Sequence, residues 1–390
     1  MNELPVGRRV AQWRVRRNMT QQQFADRLGK SKSWVDKVER GVRRLERMSN
    51  LREVAEALRI DTEVLLAERI GQPDVTVTGV ARVRAALARY HVEASSRPPD
   101  VAQVRARLDH AEQSYRHARY PMLLDLLPGL LDAARDAQAA RPGRATDEVL
   151  VPAYGLVALV LVKVGQGELA WLAADRGMAV ALATDDARLA AVATVPLSQA
   201  LRAVGRRRSA MEAAVVAARR CPPRESAAGA LAPGGAGGSS LRETLLLQAA
   251  LAAAERGDER RVPSLLDQAA TIAAAGGSFG RASVEAARVV AEAAVGDAAE
   301  ATVRHERLVS GEQWRWLPPE HRAAYLLDVA RVHALAGAMP EAGRAVLDAE
   351  RTAHSEVHER PAVRDLVAVV ARSTAAPAGL ARLAAALHVT

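Results

Sequence analysis

Residues 20–41, TQQQFADRLGKSKSWVDKVERG, constrain this chain more tightly than any other stretch, because they specify two short helices and the turn between them. The Thr20 hydroxyl can accept a hydrogen bond from an orphan amide of a first helical turn. Phe24, Ala25 and Leu28 follow at i, i+1 and i+4 and give that helix one apolar face. Gly29 stands where a left-handed residue ends a helix at least cost. Ser31 then caps a second helix, in which Val35 and Val38 point inward. Lys32, Ser33, Asp36 and Lys37 therefore share the outward face. A short polar face at the start of a second helix suits the major groove of DNA.

In this register residues 7–66 resemble the Xre (Cro/cI-type) helix-turn-helix domain of bacterial and phage regulators. The segments that carry the resemblance are GRRVAQWR, MTQQQFADRLG, SKSWVDKVERG and LREVAEALRI, with apolar positions, caps, turn glycine and terminal ERG all in place. The resemblance implies a five-helix, lambda-repressor-like bundle. Val6, Val10 and Trp13 form the buried stripe of its first helix, and Met19 closes the core. It also implies that Gln21 grips a backbone phosphate through its amide. Lys32, Ser33, Asp36 and Lys37 are the candidates for base edges. Lysine donates to guanine O6 and N7, and Asp36 accepts from cytosine N4, orients Lys37, or repels wrong sequences. Arg40, Arg43 and Arg44 follow in a loop suited to phosphates, which set register while base contacts give specificity. Trp34 either packs over the helix edge or touches a sugar or thymine methyl.

Charge supports that reading. The chain of 390 residues carries +9, and residues 1–66 hold 15 Lys and Arg against 9 Asp and Glu. The remaining residues hold 39 against 36, so the basic excess is concentrated in the small N-terminal part. Of only 4 lysines beside 50 arginines, Lys30, Lys32 and Lys37 lie in or just before the second helix. The Arg-for-Lys bias resembles that of proteins from GC-rich actinobacteria. A single cysteine, Cys221, excludes an internal disulfide framework and fits a reducing, cytoplasmic setting. No charged-then-apolar leader opens the chain. The longest apolar run, 149–162, is broken by Pro152 and Gly155 and reads as a buried helix rather than a membrane span.

Aromatic residues are 3% of the chain, so a large core must be built from Ala, Leu and Val, and nothing alternates at a period of two. We expect an all-α protein with three parts: the head over 1–66, a linker over 67–100 with one helix from 80 to 92, and a helical-repeat body over 101–390. Glycines follow apolar segments at Gly165, Gly205, Gly257, Gly296 and Gly337. Five residues after them come Ala170, Ala210, Val262, Ala301 and Ala342. Twelve after come Gly177, Ala217, Ala269, Leu308 and Ala349, and seven before come Ala158, Ser198, Ala250, Val289 and Ala330. Small residues at fixed offsets are required where antiparallel helices approach closely. The body resembles a tetratricopeptide (TPR) solenoid, although three of its intervals are 39 to 41 residues, longer than the usual 34. An unrelated helical solenoid is the rival reading. The fourth interval, 52 residues, contains a Gly/Ala/Pro/Ser insert at 222–240 that reads as a mobile loop.

Stacked helical pairs make a concave surface that commonly takes a peptide or partner. Aligning the repeats turns Gln199, Arg202, Thr244, Arg322, Tyr325 and Arg331 toward it, where arginines could hold a carboxylate. These residues equally suit ordinary inter-repeat packing. Trp314 and Trp316 could wall a pocket or fill a repeat junction. No phosphate loop, dinucleotide fingerprint or HExxH motif occurs, and Cys221 has no nucleophile pattern. His354 and His358 stand at i, i+4 with Glu350 and Glu356 nearby, but further ligands at a familiar interval are missing and a solvated helix end is favoured. Neither a cofactor, a metal nor an enzymatic activity is therefore expected. The architecture resembles actinomycete Xre–TPR and RRNPP-type regulators. That implies a homodimer on an inverted-repeat, double-stranded DNA operator, answering to a peptide or small-molecule effector and having no membrane partner. The alternative is a protein-interaction scaffold with the head as a DNA tether.

Overall fold

A computed structural model describes residues 6–17, 19–43, 45, 48–58, 75–90, 98–222, 240–274, 278–294 and 298–389, and these residues contain helices and no strand. The chain divides into two compact units, Met1–Asp74 and Val75–Thr390. The first, the head, contains α1 (Val6–Arg16), α2 (Gln21–Leu28), α3 (Lys32–Glu39) and α4 (Met48–Leu58). The fifth helix implied by the resemblance falls outside the described residues. Phe24, Val35, Val54 and Leu58 are completely buried, and Val10, Val38 and Leu51 nearly so. Met19 is buried, while Val6 and Trp13 lie partly buried against the same core.

The second unit, the body, opens with α5 (Val75–Leu87). The linker helix expected over 80–92 starts earlier and ends earlier than the sequence suggested. Its Val80, Val83 and Leu87 are buried in the main core, against α7, so this helix is a structural part of the body. The β-branched run at its start gave a weak helical signal that burial overrides. Six helical pairs follow: α6 (Val101–Arg116) with α7 (Tyr120–Ala140), α8 (Arg144–Lys163) with α9 (Gly167–Ala183), and α10 (Ala187–Ala203) with α11 (Arg207–Arg220). Next come α12 (Leu241–Ala254) with α13 (Arg261–Ala274), α14 (Ser278–Ala294) with α15 (Ala298–Ser310), and α16 (Pro319–Leu335) with α17 (Met339–Thr352). The short α18 (His354–His358) and the pair α19 (Pro361–Ala371) and α20 (Ala378–Ala386) end the chain.

The repeat signature has a direct structural cause. Gly165, Gly205, Gly257 and Gly337 each take a φ between 73° and 78° in the turn joining a pair, a conformation that glycine adopts without steric cost. The fifth, Gly296, lies outside the described residues, as does the interior of the 222–240 insert. Ala170, Ala210, Ala342, Ala158, Ser198, Ala250 and Ala330 are completely buried, which is what close approach between paired helices demands. Helix α8 is, among the described residues, the one long and apolar enough to cross a membrane, and 78% of its most apolar window is buried in the body. The fold is all-α, a helix-turn-helix head with a body of TPR-like helical pairs.

The body curls until its ends meet. Lys163, at the end of α8, pairs with Glu320 of α16 at 2.5 Å and with Glu356 of α18 at 2.7 Å. Arg360 holds the other oxygen of Glu356 at 2.5 Å. Tyr120 donates to Glu356, and Tyr115 donates to Glu320 at 3.4 Å. Burial alone would favour neutral Glu356, but Lys163 and Arg360 outweigh it and hold the carboxyl well below the usual range. Burial and the neighbouring carboxylates push both tyrosine hydroxyls up, so they stay protonated and donate. The Lys163–Glu356 and Tyr120–Glu356 contacts join residues 193 and 236 positions apart and clasp the first repeats to the last. Removing one member of a buried charge cluster strands the others. Glu356→Ala should lower body stability by about 3–5 kcal/mol, read as a reduced urea midpoint by far-UV circular dichroism. Glu356→Gln, which can still bond Tyr120, should lose less.

Candidate functional site

Two sites are built, one in each unit. In the head, the turn between α2 and α3 is held by three devices that the sequence announces. The Thr20 hydroxyl accepts from the Gln23 amide at 3.2 Å, and the Gln23 side chain accepts from the Thr20 amide at 2.9 Å, a complete capping box. Gly29 turns the chain with φ 61°. The Ser31 hydroxyl accepts from the Trp34 amide at 3.2 Å.

Placement of α3 depends on a buried ion pair that sequence reading passed over. Glu39, 6% exposed, receives Arg14 of α1 through both carboxylate oxygens at 2.6 and 3.1 Å. Arg14 also donates to the Met19 carbonyl at 2.7 Å, and Gln21 donates its amide to Glu39 at 2.8 Å. This network ties the end of α1, the start of α2 and the end of α3 together. Gln21, expected to reach outward to a phosphate, is thus turned inward. Gly7 completes the fit, since a Cβ there would lie 1.8 Å from the Val38 carbonyl oxygen.

So held, α3 buries Val35 and Val38 and leaves Lys32, Ser33 and Lys37 exposed, with Asp36 at the edge. Asp36 pairs with Arg40 one turn on, a contact too exposed to resist exchange for a phosphate. Trp34 takes the first of its expected settings. It packs partly buried against the head core, and the Arg43 guanidinium lies 5.9 Å from its ring centre on the outer side. Arg40 and Arg43 are exposed, and Arg44 lies outside the described residues.

In the body, the first helices of successive pairs line a concave cavity of about 550 Å³, within the size range of small-ligand sites. Gln199 and Arg202 of α10, Thr244 of α12, and Tyr325 and Arg331 of α16 all face it. Arg322 does not. It follows His321, which does line the cavity, and one residue's rotation of 100° on a helix carries it to another face. The arginines are already engaged: Arg202 bonds Glu255 at 2.5 Å and Gln248 at 3.1 Å, and Arg331 pairs with Asp328. Arg207 shares Glu255 at 3.4 Å. Leu156, Leu159, Val195 and Leu247 supply the apolar wall. Trp314 stands behind Tyr325, edge to face at 5.6 Å, and His305 meets the Tyr325 hydroxyl at 2.9 Å. Trp316 is exposed. Neither tryptophan lines the cavity.

Glu112 of α6 was not singled out by sequence. It lines the cavity, and burial pushes its carboxyl up to about 7 against the opposing pull of Arg116. A carboxyl that titrates near neutrality beside an apolar wall is suited to meet a cationic group. No periodicity or motif marks it, because its environment comes from distant repeats.

Residues 5–68 match the family described as a helix-turn-helix domain. No curated protein matches the chain. Among solved structures, PlcR of Bacillus thuringiensis, in complex with a peptide and DNA, is 12% identical, with 80% of this chain and 100% of that one covered and a TM-score of 0.30. The apo competence regulator ComR of Streptococcus vestibularis is 12% identical over 86% and 98% of the two chains, TM-score 0.32. Aspartyl phosphate phosphatase F of Bacillus subtilis is 12% identical over 90% and 94%, TM-score 0.43. Likenesses at this level say nothing of what this chain binds.

Gly7→Ala should destabilise the head by about 1–3 kcal/mol, since α1 must move off α3 to clear the new methyl. Amide hydrogen exchange should quicken across α1–α4 and stay unchanged in the body. A second expectation concerns pH. Unfolded, Glu112 ionises near 4.5; folded, near 7. Between those values the native state holds the extra proton, so its contribution to stability is complete below 4.5 and lost as pH rises through 7. Glu112→Gln should therefore make the body more stable than wild type at pH 8, by about 1–2 kcal/mol after allowance for partial solvent contact. The two proteins should converge at pH 5, as denaturant titrations at both pH values would show.

Proposed function

We propose that this protein is a sequence-specific transcriptional regulator. Its head reads an operator through α3, and its body holds an effector in the concave cavity. The observation that carries the proposal is the exposed Lys32–Ser33–Lys37 face on a helix fixed by two caps, a left-handed glycine and a buried ion pair, within residues that match a helix-turn-helix family. Lys32 and Lys37 donate to guanine edges, and Ser33 and the Asp36–Arg40 pair complete the reading surface. Arg43 and Arg44 hold phosphates. With the Gln21 side chain turned inward, the Gln21 and Gln22 amides at the first turn of α2, ahead of the capped Gln23 amide, take over its expected phosphate contact.

One short helix reads too few base pairs for genomic specificity, so the protein acts as a homodimer on an inverted repeat. The cavity, with apolar walls between opposed charges, suits a short peptide or a small molecule bearing both a cationic and an anionic group. Glu112 receives the cation, while Arg202, Arg207 and Arg331 offer the anion sites. The effector shifts the balance between two arrangements of the paired heads, which requires that it bind one of them better.

Selection of bound duplexes from a random pool, with and without cell extract, tests the proposal as a whole. A palindromic consensus whose retention changes with extract is expected, and equal binding to every duplex would overturn it. Lys32→Ala or Lys37→Ala should cost about 1–3 kcal/mol on the selected site and relax base preference there. Arg43→Ala should weaken binding to all sequences alike and lower the salt slope by about 1.

A further inference from the structure

Outside both sites, Glu350, His354 and His358 bring one ligand atom each within 4.8 Å of one another. On a continuous helix the first and last would be separated by an axial rise of about 12 Å. Here the chain breaks between α17 and α18, where Ala353 is extended at φ −154° and ψ 98°. The break folds α18 back, so that His358 Nε2 comes to 3.2 Å from Glu350 Oε1. The His354 ring stacks on His358 with centres 3.7 Å apart and planes 21° off parallel.

We propose that these three side chains form a binding site for a divalent transition-metal ion of the zinc class. Zn–N and Zn–O bonds of about 2.0–2.2 Å place adjacent tetrahedral ligand atoms about 3.3–3.6 Å apart. The His358–Glu350 separation is within about 0.1 Å of such an edge, and the exposed His354, whose ligand atom lies within 4.8 Å of both, supplies the third ligand by rotating off its stack on His358. Two imidazoles and one carboxylate favour zinc over calcium or magnesium, which prefer all-oxygen shells. Water fills the fourth position, which faces solvent beside His354. The ion bridges α17 and α18 across the break. Glu356, between the two histidines, points the other way and is completely buried in the clasp, so the metal and the clasp grip opposite sides of one short helix.

The test uses the full-length, untagged protein stripped with chelator and titrated with Zn²⁺ in competition with a chromophoric chelator. One equivalent should bind in the low-micromolar range or tighter, and Co²⁺ should give the intense visible bands of four-coordination. His354→Ala, on an exposed side chain, and Glu350→Gln should each weaken uptake by about 10-fold or more while leaving circular dichroism unchanged. The zinc-induced rise in melting temperature should vanish with them. Failure of the wild-type protein to take up one equivalent, or uptake unaltered in both variants, would overturn the proposal.

Discussion

The clasp around Glu356 is the contact on which the body depends. A stack of helical pairs has no intrinsic reason to close, since each pair needs only its neighbours to bury its apolar face. Here Lys163, Glu320, Glu356 and Arg360 bring the second repeat against the last helices, and Tyr115 and Tyr120 donate to the same Glu320 and Glu356 oxygens that Lys163 holds. Buried ions of this kind add little stability over an apolar substitute, but they tolerate few alternative geometries. Closure by charge therefore fixes the curvature, and curvature sets the shape of the cavity.

The head follows the same physical rule on a smaller scale. Its small apolar core is held by a force without direction. The bidentate Arg14–Glu39 pair admits one arrangement of α1 and α3. Gly7 permits the approach that this arrangement requires. Orientation of the α3 face thus depends on groups that are themselves hidden.

What the sequence disclosed was local. Thr20, Gly29 and Ser31 act within one turn of themselves, and the repeat glycines act within a single helix-to-helix connection, so their roles could be read from spacing alone. Five residues on the cavity wall were placed by aligning repeats, because a solenoid converts sequence period into spatial register. Arg322 failed for the same reason in reverse: an error of one position on a helix is an error of face. Features made by distant segments left no local trace. Glu112 owes its raised carboxyl to burial by remote helices, and the clasp joins residues some two hundred positions apart. The His354–His358 pair and the nearby Glu350 were visible, but Glu350 comes within reach of His358 only through the backbone break at Ala353. The linker helix misled because β-branched residues weaken the helical signal, whereas packing against α7 decides its structure.

Lys163, Glu320 and Arg360 belong both to the clasp and to the cavity wall. A molecule filling the cavity therefore touches the groups that hold the body closed. Where ligand contact and closure share atoms, each must alter the free energy of the other, and by the same amount in both directions. A ligand that adds hydrogen bonds to this cluster favours the closed body; one that competes for Lys163 or Arg360 opens it. Under the proposed function, the polar end of the cavity is where occupancy would become a change of shape, whereas the apolar wall would supply affinity without preference between shapes.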